Sequence, residues 1–289
     1  MKCSDIISVA RPKTLAASSS PVILASALAY YDKVFNLIPA LLCLGVALFA
    51  QIASNYANDY FDFKNGMDGD GRLGPERIVA SGKTEAKPVL IGALIFLTLS
   101  CLCGLGLLFY APWWIIPIGV VIALCVFGYS AGPFPLSHHA LGDIAVLLFY
   151  GLVPVCFTYF VMTGHFSTDS LWYAIGIGLL SVNILIVNNY RDVVQDRATG
   201  KSTTIVLFGR KAGLAVYLLN VAAAAAIAIF VNYIPLKTWM IVVLLIEMII
   251  TWFELKKNDG PALNTVLGHT SRNVLLYAVL CSIALIMYA

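Results

Sequence analysis

Asn55, Asp59 and Asp62 follow one another at intervals of four and three residues, Asn58 and Asp62 stand four apart, and Asp192 and Asp196 repeat the interval of four farther along the chain. On a helix each set lies along one stripe, where neighbouring carboxylates repel. The cost is a few tenths of a kcal/mol at an exposed site and more in a low-dielectric cavity, so such sets call for a compensating cation. All the donors are hard oxygens, with no His or Cys among them. That chemistry suits Mg²⁺, which takes one or two carboxylates and fills its octahedron with water and phosphate oxygens. Lys64, Arg72 and Arg77 accompany the first set, and Arg191, Arg197, Lys201 and Arg210 the second. Guanidinium forks and ammonium groups beside metal-bearing carboxylates are suited to a diphosphate.

The elements that must hold these groups are membrane helices. Of 289 residues, 60% are hydrophobic and only 11% charged, far from the balance of a soluble domain. Nine apolar stretches are long enough for a helical span, at about 15–31, 37–56, 88–110, 112–131, 141–163, 170–190, 213–232, 235–254 and 273–289. No alternating pattern of the barrel kind is present. With the N-terminus cytoplasmic, the inner segments collect 16 of the 18 Lys and Arg residues and leave Lys33 and Lys237 outside, as the positive-inside rule requires. The net charge of +3 gives no sign of nucleic-acid binding; the sorting of charge is the signal. The seven cysteines are spaced as small apolar residues, not as a disulfide or metal set. Ser18-Ser19-Ser20-Pro21 interrupts the first apolar region, which argues against a cleaved signal peptide.

Residues 58–87 and 191–211 together hold 18 of the 33 charged side chains, and in this topology both lie on the cytoplasmic side. Each follows a span that ends in amides, Asn55 and Asn58 in one case and Asn183, Asn188 and Asn189 in the other, so the two halves form a loose internal repeat. Loops 132–140 and 255–272 complete the same face. A diphosphate site at the mouth of a membrane bundle implies a lipid diphosphate as ligand.

RPKTL at 11–15, NDYFD at 58–62, RLGPERIVASG at 72–82, YSAGPFP at 129–135 and NNYRDVVQDRATGKSTTIVLFGR at 188–210 together resemble the UbiA superfamily of intramembrane prenyltransferases, over nearly the whole chain. The likeness is greatest to the branch that prenylates 1,4-dihydroxy-2-naphthoate in menaquinone biosynthesis. It implies an all-α, multi-pass protein of the bacterial inner membrane, a single domain spanning 1–289, with nine transmembrane helices around a central cavity that opens to lipid and a cytoplasmic cap. It also implies Mg²⁺ held on the diphosphate of a polyprenyl donor by Asn58, Asp62 and Asp68 in the first motif and by Asp192 and Asp196 in the second, with Asp59 beside them. By position, Arg11, Asn58, Lys64, Arg72, Arg77, Tyr129, Asn189, Arg191, Arg197 and Lys201 are expected to bind substrate. The family's first motif usually runs NxxxDxxxD. Here Gly66 stands where its last carboxylate would be, a longer spacing that fits the naphthoate branch and leaves Asp68 or Asp70 to complete the set. Where many members carry a Lys four residues after the tyrosine, this chain has Pro133.

Glu247, in the middle of the eighth span, is expected either to make a structural hydrogen bond or to enter the acceptor pocket, since an ionisable group is expensive there. His138 and His139 are read as solvated loop residues, Asp143 as a carboxylate at a helix N-terminus, and Trp113, Trp114 and Trp172 as interface anchors. Three rivals stand beside the main reading: prenylation of another aromatic acceptor such as 4-hydroxybenzoate, a secondary transporter, and a CDP-alcohol phosphotransferase. The acidic sets sit at the rim and not at the midplane, against a transporter, and the DGxxAR-type signature of the phosphotransferases is missing.

Overall fold

The computed structural model describes residues 3–67, 73–74, 77–132 and 135–289, and among these the chain is helical with no strand beyond a single bridge between His139 and Ser202. A short helix α1 (Cys3–Ala10) leads through Arg11, whose φ of 50° turns the chain, into α2 (Pro12–Tyr31). Then come α3 (Leu37–Lys64), α4 (Ala86–Gly106), α5 (Ile116–Gly128), α6 (Gly142–Leu147), α7 (Val153–Thr163), α8 (Thr168–Ala198), α9 (Thr204–Phe230), α10 (Pro235–Lys257) and α11 (Leu263–Met287). Start signals are explicit: Asn36 caps α3, Ser167 and Ser170 form a reciprocal capping box on α8, and Thr203 caps α9.

Among the described residues seven helical segments are long and apolar enough to cross a membrane, including Ala86–Phe109, Gly142–Thr163 and Gly260–Met287, so the protein is an integral multi-pass membrane protein. At the two remaining expected spans lie α2, diluted by four serines, and the shorter apolar helix Trp113–Gly128. The large buried cluster is shared by α2, α7, α8, α9, α10 and α11, while α3 packs mainly on α4 and α2.

Several expected boundaries move. The helices of the two acidic sets run past 56 and 190 to Lys64 and Ala198, which carries both sets on the last turns of continuous helices. The final helix begins at Leu263, not at 273, so Arg272 is not a loop residue; its guanidinium lies 2.9 Å from Glu247 on the outer faces of α10 and α11. Glu247 is therefore outside the cavity, and the acceptor-pocket alternative for it is withdrawn. Lys237, expected on the outer side at the start of the eighth span, is fully buried, donating to Tyr173 Oη at 2.8 Å and to the backbone carbonyls of Val231 and Asn232 that close α9. The sequence pattern ranked it by charge, but its stem reaches back to unsatisfied carbonyls at a helix end.

Between α6 and α7 the chain makes a π-helical turn, Leu148–Leu152. Gly151 lets it press on α8: a Cβ there would lie 2.5 Å from the carbonyl oxygen of Ala174 and 2.6 Å from Gly178 Cα, both backbone atoms that cannot rotate away. Gly151→Ala should therefore cost about 1–3 kcal/mol by overpacking, read as a lower thermal midpoint in detergent; an unchanged midpoint would mean that α8 yields at this point.

Candidate functional site

One end of the bundle gathers the charged segments. On α3, Asp59 and Asp62 are buried, and Arg77, from the loop after it, reaches back over both, with Nη2 2.5 Å from Asp62 Oδ2 and Nε 3.9 Å from Asp59 Oδ1. The same guanidinium donates to the backbone carbonyl of Asn58, and the Asn58 side-chain oxygen accepts from Ser130 Oγ at 2.6 Å. On α8, Arg191 forks onto its neighbour Asp192 at 2.7 and 2.6 Å and donates at 2.6 Å to Asn264 Oδ1, whose amide donates to the Leu73 carbonyl. Gln195 donates to the Met67 carbonyl at 3.0 Å, tying the first acidic segment to the second helix.

The two sets meet across this rim. Asp62 lies close enough to act electrostatically on Asp196, Tyr129 and His138, and Lys201 stands 4.0 Å from Asp196. Burial raises the Tyr129 hydroxyl's pKa, with the nearby carboxylates adding to it, so it stays protonated. Below the rim opens a cavity of about 770 Å³ between α2, α3, α4, α5, the π-helical turn, α7 and α8, polar where Arg11, Asn58, Tyr129 and Asn188 line it and mostly apolar elsewhere.

Of the expected residues, Arg11, Asn58 and Tyr129 line the cavity, while Asp59 and Asp62 pair with Arg77 at the end of α3, and Asp192 and Asp196 stand against Arg191 and Lys201 at the end of α8. Lys64 and Arg197 are exposed at the helix ends, Asn189 stands one position after the cavity-lining Asn188, and Arg210 instead pairs with Asp259 at 2.6 Å and stacks on Tyr190. Asp68, Asp70, Arg72 and Pro133 lie outside the described residues.

The two histidines differ: His139 is exposed on its loop, as expected, with Nδ1 2.9 Å from the Pro135 carbonyl, whereas His138 is partly buried. Burial, helped by the Lys201 ammonium, lowers the His138 pKa below its ordinary value, so the ring is neutral at pH 7. Asp143 stands in the first turn of α6 and accepts from Thr204 at 2.5 Å. Sequence reasoning passed over Ser130, Asn264, Gln51 and Tyr150. The available signal was a lone glutamine in the apolar run ALFAQIAS.

The donor chemistry suits Mg²⁺. Among the described residues no group of three His, Cys, Asp or Glu side chains is gathered to hold a metal unaided. An ion here would draw on one or two carboxylates from each helix and on oxygens supplied by a ligand, which is how Mg²⁺ is bound to phosphates, not how a structural zinc is caged.

Residues 19–267 match the UbiA prenyltransferase family. Relatives include a 1,4-dihydroxy-2-naphthoate octaprenyltransferase of Haemophilus influenzae, 35% identical over 76% of this chain and 74% of that one. A protein of the same name from Escherichia coli is 33% identical over 69% and 67%. Among solved structures, a UbiA homolog from Archaeoglobus fulgidus bound to DMAPP and Mg²⁺ aligns with a TM-score of 0.69 at 16% identity, over 99% of this chain and 100% of that one. At that identity the likeness establishes the fold.

Proposed function

The chain belongs to the UbiA prenyltransferase family, and we propose that it transfers a polyprenyl group from a polyprenyl diphosphate to 1,4-dihydroxy-2-naphthoate, releasing diphosphate and CO₂ and giving demethylmenaquinol, the quinol form of demethylmenaquinone, in menaquinone biosynthesis. The observation that carries this is the approach of the acidic end of α3 to that of α8, tied by Gln195 donating to the Met67 carbonyl, beside a largely apolar cavity of about 770 Å³ lined by Asn58 and Asn188 of the same two helices. A charged head and a long apolar tail could be accommodated there together.

Asn58, Asp62, Asp192 and Asp196 would hold Mg²⁺, with Asp68 or Asp70 completing the first set. When bound, the ion neutralises charge on the leaving diphosphate. Arg77 and Arg191 hold Asp62 and Asp192 in place through their forks, and Lys201 and Arg11 bring further positive charge to the mouth. The apolar walls keep water from an allylic cation formed as the C–O bond breaks. The electron-rich ring attacks that cation at the carbon bearing its carboxylate; the C–C bond forms, and the electron pair of the C–CO₂⁻ bond restores the aromatic ring as CO₂ departs. The whole chain, 1–289, acts as a single domain. The concentration of Lys and Arg on the segments at one end supports a bacterial inner-membrane protein with a cytoplasmic N-terminus and a site facing the cytoplasm.

Membranes containing the protein, given Mg²⁺, a polyprenyl diphosphate and either 1,4-dihydroxy-2-naphthoate or 4-hydroxybenzoate, should yield by mass spectrometry a prenylated product lighter by CO₂ with the naphthoate alone. Product with 4-hydroxybenzoate alone would move the enzyme to another pathway. No product with either would remove the prenyl-transfer reading.

A further inference from the structure

A chain of amides crosses from the α1–α2 junction into the cavity, and its polarity is fixed at one end. The Ala10 carbonyl can only accept, and it takes a hydrogen bond at 2.9 Å from the Asn55 side-chain amide nitrogen. The Asn55 side-chain oxygen must then face the other way, where it accepts at 3.0 Å from Gln51 Nε2. This turns Gln51 Oε1 toward Ser18 Oγ, 3.0 Å away, and toward the hydroxyl of Tyr150, which donates to it. Gln51 and Asn55 are both buried, so each amide depends on these partners for its hydrogen bonds.

Tyr150 is placed by an irregularity of the backbone. It lies in the π-helical turn Leu148–Leu152, beside the Gly151 that allows this turn to press against α8. Such turns insert a residue into the helical register and are frequent at functional sites. Here the turn puts Tyr150 on the cavity wall, within electrostatic reach of Tyr129 and Arg11 at the mouth.

We propose that Tyr150 is a recognition residue for the aromatic acceptor: with its own proton committed to Gln51, and Ser18 beside that pair, its oxygen keeps a lone pair on the cavity side and accepts a hydrogen bond from a ring hydroxyl of the substrate. Gln51 is the positioning residue that holds the phenol in that sense. The site thereby selects a hydroxylated ring over an alkoxylated one. A hydroxyl that donates in this way also enriches its ring in electrons, which favours attack on an allylic cation. The inference rests on the acceptor reading proposed above and deepens it.

The test compares purified enzyme and its Tyr150→Phe and Gln51→Leu variants with 1,4-dihydroxy-2-naphthoate and its two mono-methyl ethers, at fixed Mg²⁺. Wild type should disfavour one of the ethers by about tenfold or more in kcat/KM, as buried sites built to pair a hydroxyl do. Tyr150→Phe should level that discrimination to within about twofold while leaving KM for the polyprenyl diphosphate within about twofold, and Gln51→Leu should weaken it in the same sense. A structural role alone would lower activity toward all three acceptors equally, and that result, or unchanged discrimination in Tyr150→Phe, overturns the proposal. A wild type active on the naphthoate that does not distinguish either ether also overturns it, with the acceptor reading intact. Wild type inactive on the naphthoate overturns both.

Discussion

Asp192→Asn and Asp62→Asn are each expected to lower kcat/KM by about 10³-fold or more, about 4 kcal/mol of transition-state stabilisation. The amide is chosen because it keeps the volume and leaves an oxygen for the arginine already in contact, Arg191 at 2.6 Å or Arg77 at 2.5 Å. What it removes is the charge. Asp62 with Arg77 is a buried pair, 8% exposed on each side, and deleting the carboxylate altogether would strand a buried guanidinium at a cost of about 3–5 kcal/mol. Asp62→Ala would thus confuse loss of fold with loss of chemistry. Asp192 is 23% exposed, so its amide variant should melt in detergent close to wild type. Turnover near the wild-type rate in either amide variant would exclude these carboxylates from a metal–diphosphate site.

Removal of divalent cations should stop the reaction and weaken binding of the polyprenyl diphosphate by at least about 10²-fold, and Mg²⁺ should restore both. The reason lies in charge balance at the mouth. Asp59, Asp62, Asp192 and Asp196 stand beside Arg77, Arg191, Lys201 and Arg11, so four fixed carboxylates offset four fixed cations. Among the described residues, then, little positive charge is left over for an anion as dense as a diphosphate. Like charges in a partly buried site repel strongly, so binding needs cations brought in from solution. Equal binding affinity with and without a chelator would show that the fixed bases suffice and would remove Mg²⁺ from the site. The binding readout separates this from a metal needed only later in turnover.

Much of the candidate site was legible because helical spacing, four and three residues, is a local property: Asn55, Asp59 and Asp62 had to share one stripe of α3, with Asn58 one turn before Asp62, and Asp192 and Asp196 had to share one of α8. Arg77 and Arg191 were named from charge and resemblance, but their partners follow from reach. Arg77 folds back from a loop over the helix before it, while Arg191 clamps its own neighbour and draws in Asn264 from the start of α11. Nothing in the sequence joins 191 to 264. Lys64 and Arg197 carry the same charge as their neighbours in sequence, yet their positions on the helix turn them outward.

By itself, the sequence determined that this is a bundle of membrane helices with carboxylate, amide and basic side chains concentrated at one end, since hydrophobic run length and helical period are set by residues close together in the chain. Tertiary structure alone decided where the helices stop, which face Glu247 and Arg272 take, what buries Lys237, and that Gln51 and Tyr150 share the cavity wall. Each of those depends on a contact between residues far apart in sequence. For Tyr150, it further depends on a π-helical turn permitted by the meeting of Gly151 with Gly178, a close approach of two backbones that no local pattern records.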